Sequence, residues 1–381
     1  MAKTGEKGYL LEELLRAYFL RAGMYAARGV PLQLDGEDLT DIDIWLYERP
    51  TGSSRRRQIV DAKSKMKPKA IERLLWTKGL FELLQVDGAY VATTDNRLIL
   101  KEVSSRLGVS VLDGTDLKRM AESEKILYSD RLSEEEFDAE IKAVDKVRRN
   151  KDFQVGYQDM KAALIDEFGS GTVNRALEHF TSFARNLGSS HPNSDAAKVA
   201  LRLAYIAASI VAVALDFALA KVSFKSPEER RKVVLNVIRY GAENEMLGME
   251  KVRIAGALVE RYAPNGRSIS QSMLNAVKED LQRVPAEVIA DHVLSQLKGD
   301  GLFRVARSLE FEGFKIVPRG FDQLSLEEKS FLGVLMDFAG HDRSAFADAW
   351  KGSAIPHVGV ASSEDVLSGN DGPHGQLFDN I

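Results

Sequence analysis

The sequence predicts an α/β domain of about 120 residues, a mixed central sheet flanked by helices, followed by a mostly α-helical domain. Three observations carry this. Helical and strand-like apolar patterns alternate as far as residue 112. Strand signals nearly vanish after about residue 120. Beyond that point helix-start signatures recur. At 381 residues the chain is also longer than one typical domain, so two are expected.

Residues 8–22, GYLLEELLRAYFLRA, put Leu11, Leu14, Leu15, Tyr18 and Phe19 on one helical face, and Gly23 stops the helix. Three strands follow, at roughly 24–34, 41–48 and 57–63. The second, DIDIWLYE, alternates strictly. PTGSS at 50–54 is turn chemistry, so the second and third strands form a hairpin. Pro68 opens a helix over about 68–86, in which Trp76 and Phe81 read as core. A buried strand at 88–95, a helix at 96–107, a strand at 109–112 and a helix from Thr115 complete the order α-β-β-β-α-β-α-β-α.

In the second half, Ser133 to Glu136, Ser226-Pro227-Glu228-Glu229 and Ser325 to Glu328 are helix-start signatures. Residues 1–122 thus form the α/β domain, 123–150 a charged helical linker, 151–351 a helical domain and 352–381 a flexible tail. The run 203–220, LAYIAASIVAVALDFALA, is at the lower edge of a membrane span. Asp216 interrupts it and Arg202 and Lys221 flank it, so it reads as the core of a helical bundle or a subunit interface, not a membrane segment.

Composition is ordinary for a soluble protein, with 44% hydrophobic and 28% charged residues. Cysteine is absent, which excludes disulfides and Cys-based zinc sites. MAKTGEKGYLLEE carries charge where a signal peptide needs an apolar run, so a cytoplasmic protein is expected. The net charge of −4 is unevenly spread: residues 1–120 hold 20 Lys and Arg against 17 Asp and Glu. Arg55, Arg56, Arg57, Lys63, Lys65, Lys67 and Lys69 crowd into 55–69, either a solvated surface or a track for phosphates beside a cleavage site. Lys78 on the next helix is a further candidate for contacting the nucleic-acid backbone.

Metal-assisted phosphodiester hydrolysis needs a divalent cation on carboxylate oxygens and an ammonium group near the developing charge. Alternation puts Asp43 on the face opposite Ile42 and Ile44, and Asp61 and Lys63 on one face of the next strand. The hairpin sets the two strands side by side, so Asp43, Asp61 and Lys63 converge. All six histidines lie beyond residue 178, which excludes a His general base from the α/β domain. Gly169-Ser170-Gly171 lacks the lysine of a phosphate loop, so no nucleotide-driven motor is expected.

These residues resemble the PD-(D/E)XK nuclease superfamily: a helix bearing Glu, then Asp, then Asp/Glu-x-Lys. Glu12 best fits the helix position, with Glu13 as its neighbour; Asp43 in TDID and Asp61-Ala62-Lys63 fit the rest. The stretch 88–120, GAYVATTDNRLILKEVSSRLGVSVLDGTDLKRM, looks like the closing part of the Mrr-like restriction endonuclease branch. That branch usually places its nuclease domain after a DNA-reading domain, and often has Gln where this chain has Asp61. The resemblance implies a restriction-endonuclease-like fold with Glu12, Asp43, Asp61 and Lys63 catalytic, and Asp43 and Asp61 holding Mg2+ or Mn2+. It implies DNA as substrate, in restriction or phage defence. Alternatives are a repair or recombination nuclease such as a junction resolvase, and an inactive nuclease fold kept for binding DNA or protein. The helical domain is expected to serve homo-oligomerisation or a protein partner.

Overall fold

The computed structural model describes residues 4–34, 37–63, 69–123, 127–166 and 168–352. They group into two compact units, the first reaching Phe137 and the second Asp138–Lys351.

In the first unit the elements run α1 (Thr4–Arg21), β1 (Tyr25–Leu34), β2 (Glu37–Glu48), β3 (Arg56–Lys63), α2 (Ala70–Leu84), β4 (Gly88–Thr93), α3 (Ile99–Leu107), β5 (Ser110–Leu112) and α4 (Gly114–Glu122). This is the expected order. The five strands lie in the order β1-β2-β3-β4-β5. β1, β2 and β3 are antiparallel, whereas β4 and β5 join in parallel through helical crossovers, so the sheet is mixed.

Period-2 alternation decides which residues meet which helix. Ile44 and Leu46 of β2 and Val60 and Ala62 of β3 join Leu11, Leu14, Leu15 and Phe19 of α1 and Leu117 of α4 in one core. The opposite face is covered in mid-sheet as well, with Trp45, Tyr47 and Ile59 buried. α2 packs beside β3 and β4 through Leu74, Thr77 and Leu80. That spacing turns Trp76 outward. Expected in the core, Trp76 is 48% exposed instead, because its neighbours at helical spacing already fill the sheet-facing stripe. Phe81 is half-buried.

The second unit is built of helices: the remainder of α5 (Glu134–Arg148), α6 (Asp152–Asp166), α7 (Ser170–Ser189), α8 (Asp195–Ala220), α9 (Pro227–Tyr240), α10 (Glu245–Gly248), α11 (Glu250–Tyr262), α12 (Gly266–Gln282), α13 (Ala286–Gln296), α14 (Gly301–Phe314), α15 (Leu326–Ala339) and α16 (Arg343–Ala349). The three expected helix starts are capping boxes, with Glu136, Glu229 and Glu328 each returning a hydrogen bond to the N-cap serine.

α8 contains the run 203–220. It is long and apolar enough to cross a membrane, but 83% of its apolar window is buried inside the protein, mainly against α7 and α14. Arg202 explains how a charge is tolerated there. Its guanidinium is fully buried, donates to the carbonyls of Gly313, Lys315 and Ile316, and meets Glu140 at 3.2 Å. Of the two expected roles, α8 takes that of bundle core. The residues expected to form the tail lie, from 353 on, outside those described.

Candidate active site

The site begins with a local failure of strand pairing. β1 and β2 pair through Arg28 with Ile44 and Val30 with Ile42. Between them, opposite Asp43, Gly29 takes φ +57°, left-handed backbone that favours glycine. On the other edge of β2, pairing with β3 ends at Ile44 and Val60. One step further along that register, Asp43 stands opposite Asp61. With the ladder ended, the Ala62 N–H donates to Asp43 Oδ2 at 2.6 Å instead of to backbone. Asp43 Oδ1 has no hydrogen-bond partner among the described residues.

Asp61 is almost fully buried and is gripped by a residue that the sequence did not single out. Arg73, in the first turn of α2, donates from Nε to Asp61 Oδ2 at 2.7 Å, and a second guanidinium nitrogen contacts Oδ1. Lys63 ends β3, is half-buried and stands beside Thr93 of β4 in the register. It has no ion-pair partner among the described residues. Burial raises the Asp43 carboxyl above its ordinary range; the bond from Ala62 and the charges of Lys63, Arg73 and Arg28 only partly oppose this.

Glu12 is within electrostatic reach of this centre but is already engaged. Arg28 of β1 donates from Nε to Glu12 Oε2 at 2.8 Å, and its fork also serves Glu13 at 2.6 Å and Glu135 of α5 at 2.6 Å. Burial, with a further contribution from the Asp43 charge, raises the Glu12 carboxyl despite Arg28. Glu13 accepts from Arg16, Arg28 and the Glu134 N–H. Burial pushes its carboxyl up, but these partners more than reverse that and hold it below the ordinary range. Glu13 is thus a structural counter-ion. Residues 134 and 135, read as linker, belong to this ionic knot of the first unit.

The chain matches no family profile, no curated protein and no solved structure.

The basic cluster does not stay together. Lys65 and Lys67 lie outside the described residues. Arg56 and Arg57 begin β3 whereas Lys63 ends it, so at about 3.3 Å per residue the strand separates Arg56 from Lys63 by roughly 23 Å. Arg55 precedes the strand at that same remote end. Arg56 pairs with Glu48, and Arg57 donates to the Gln85 carbonyl at the end of α2. Lys78 lies on α2, bonded to Glu82 at 2.7 Å and resting over the Phe81 ring. Of the sequence-predicted residues, the structure brings together Asp43, Asp61 and Lys63, with Glu12 nearby, and sets Arg55, Arg56 and Arg57 apart.

Paired carboxylates on neighbouring strands suit a hard divalent cation. Among the described residues no three Asp, Glu or His side chains converge as ligands. A cation would therefore take two protein carboxylates and complete its shell with water and phosphate oxygen, as magnesium commonly does. Asp61 is held by Arg73 in this arrangement, so both carboxylates would be open to Mg2+ or Mn2+ only with Arg73 displaced.

Proposed function

We propose that the chain is a divalent-metal-dependent DNA endonuclease of the PD-(D/E)XK type, serving restriction or phage defence. The observation that carries this is the register: Asp43 stands opposite Asp61, with Lys63 two residues on, where β2 and β3 cease to pair. Two carboxylates are held on neighbouring strands of a rigid sheet, and Lys63 beside them makes no direct ion pair among the described residues and acts on Asp43 through its charge.

In this reading Asp43 and Asp61 hold Mg2+ or Mn2+, which supplies Lewis-acid polarisation of the phosphate and a more acidic bound water. Lys63 places its ammonium beside the attacking oxygen and offsets the negative charge that grows on the phosphoryl group. Asp43 Oδ2 stays fixed on the Ala62 N–H, so Oδ1 is presented in a constant direction. Glu12, held by Arg28, acts on the site through its charge. Arg55, Arg56 and Arg57, roughly 23 Å of strand from Lys63, would meet the DNA backbone away from the cut.

A second reading is favoured by the two arginine clamps: a nuclease fold kept for binding, with Asp61 permanently on Arg73 and Glu12 on Arg28. Lys63→Ala separates the two. For an active nuclease, the variant loses cleavage by about 10²–10³-fold, the scale for one charge-stabilising donor, while Mn2+ binding by calorimetry is kept or tightened. Wild-type protein that binds neither cation would favour the binding module.

A further inference from the structure

We infer that Arg73 occupies the cation's place on Asp61 in the metal-free chain, and that it must release Asp61 before a divalent cation can bind there. This rests on the metal site proposed above and adds a residue that sets the site's affinity. Arg73 is the only cation bonded directly to either aspartate among the described residues, and it grips both oxygens of Asp61. A bidentate guanidinium fork takes one of the roughly two lone pairs on each carboxylate oxygen and brings a full positive charge beside them. It therefore competes with a metal ion for Asp61.

Charge points the same way. Asp43, Asp61, Lys63 and Arg73 sum to zero, so a divalent cation meets a centre whose negative charge is already neutralised. With Arg73 removed the same groups sum to −1. Burial strengthens both attractions over their values in water. Arg73 also has somewhere to go. Its side chain is 27% exposed whereas that of Asp61 is 8% exposed, so the arginine can swing toward solvent and the aspartate cannot.

The test is calorimetric titration of full-length protein with Mn2+ alone. Arg73→Gln keeps length and polarity but removes the charge, and is expected to bind Mn2+ at least tenfold more tightly than wild type. Asp61→Asn is expected to lose binding in either background. A second measurement uses the unaltered chain, in case Arg73→Gln folds poorly. The Nε–H resonance of Arg73, assigned by its loss in Arg73→Lys, should shift on addition of saturating Mg2+. Unchanged or weaker Mn2+ affinity in a folded Arg73→Gln overturns the inference, as does an Arg73 resonance unmoved by Mg2+ or a failure of both proteins to bind Mn2+. Tighter binding without DNA cleavage leaves the inference standing and removes the nuclease reading. Metal-dependent cleavage with unchanged affinity does the reverse.

Discussion

Asp43→Asn is expected to reduce DNA cleavage by about 10³-fold or more, equivalent to about 4 kcal/mol of transition-state stabilisation, while leaving the fold intact. The asparagine carbonyl can still accept the Ala62 N–H, so the end of β3 keeps its partner. What disappears is one of the two negative charges that hold the cation. Stability should move the other way. Burial raises the Asp43 carboxyl in the folded chain, so its contribution to stability is present at low pH and is lost as pH rises through the folded value. Near neutrality the carboxylate is thus a cost, and the neutral amide should raise the melting temperature or leave it unchanged. Loss of activity with equal or greater stability is the pattern of a residue retained for chemistry. Parental-rate cleavage by Asp43→Asn would remove Asp43 from the site.

Arg28→Met is expected to destabilise the first unit by about 3–5 kcal/mol at neutral pH, the usual cost of removing one partner from a buried ionic group. Arg28 is almost fully buried and is shared by Glu12, Glu13 and Glu135. Without it Glu13 retains Arg16 at 3.2 Å, whereas Glu12 is left with a buried, uncompensated charge beside Asp43. The pH dependence identifies the cause. In the wild type the Glu13 carboxyl is held below its ordinary value, so its contribution is present above the ordinary glutamate pKa of 4.5 and fades as pH falls through the folded value. In Arg28→Met the glutamates have lost that support and protonate at higher pH, so the penalty should shrink as pH falls toward 4.5. Urea unfolding at pH 7 and pH 4.5 measures this. A penalty below about 1 kcal/mol, or one equal at both pH values, would assign Arg28 a different role.

What the sequence made legible was whatever depends on local pattern. The alternation of DIDIWLYE, the turn PTGSS and the spacing of Asp61 and Lys63 settle which residues share a face before any long-range contact is known. The three capping boxes are equally local, each closing within four residues. Asp43 and Asp61 stand opposite each other through the hairpin register, which runs from Glu48 with Arg56 to Ile44 with Val60 and is extended one step.

The residues that escaped notice act across long separations or through the choice of helix face. Arg28 meets Glu135 from 107 positions away, and nothing near either residue advertises the other. Arg73 lies 12 residues beyond Asp61, and finding it would have required the entry angle of α2 as well as its existence. Residue type alone places Trp76 in the core, whereas the stripe Leu74, Thr77 and Leu80 takes the buried face. The basic cluster looked compact in sequence because an extended strand is long: neighbours within eight residues can stand at opposite ends of it.

The most direct measurement is the fate of supercoiled plasmid DNA incubated with the full-length protein and Mg2+ or Mn2+, beside identical reactions containing EDTA. A metal-dependent endonuclease should give nicked and linear DNA in the first and untouched plasmid in the second. Cleavage that survives EDTA would contradict the metal site, and plasmid left intact with both cations would contradict the assignment of this chain as a nuclease that acts on plasmid DNA alone.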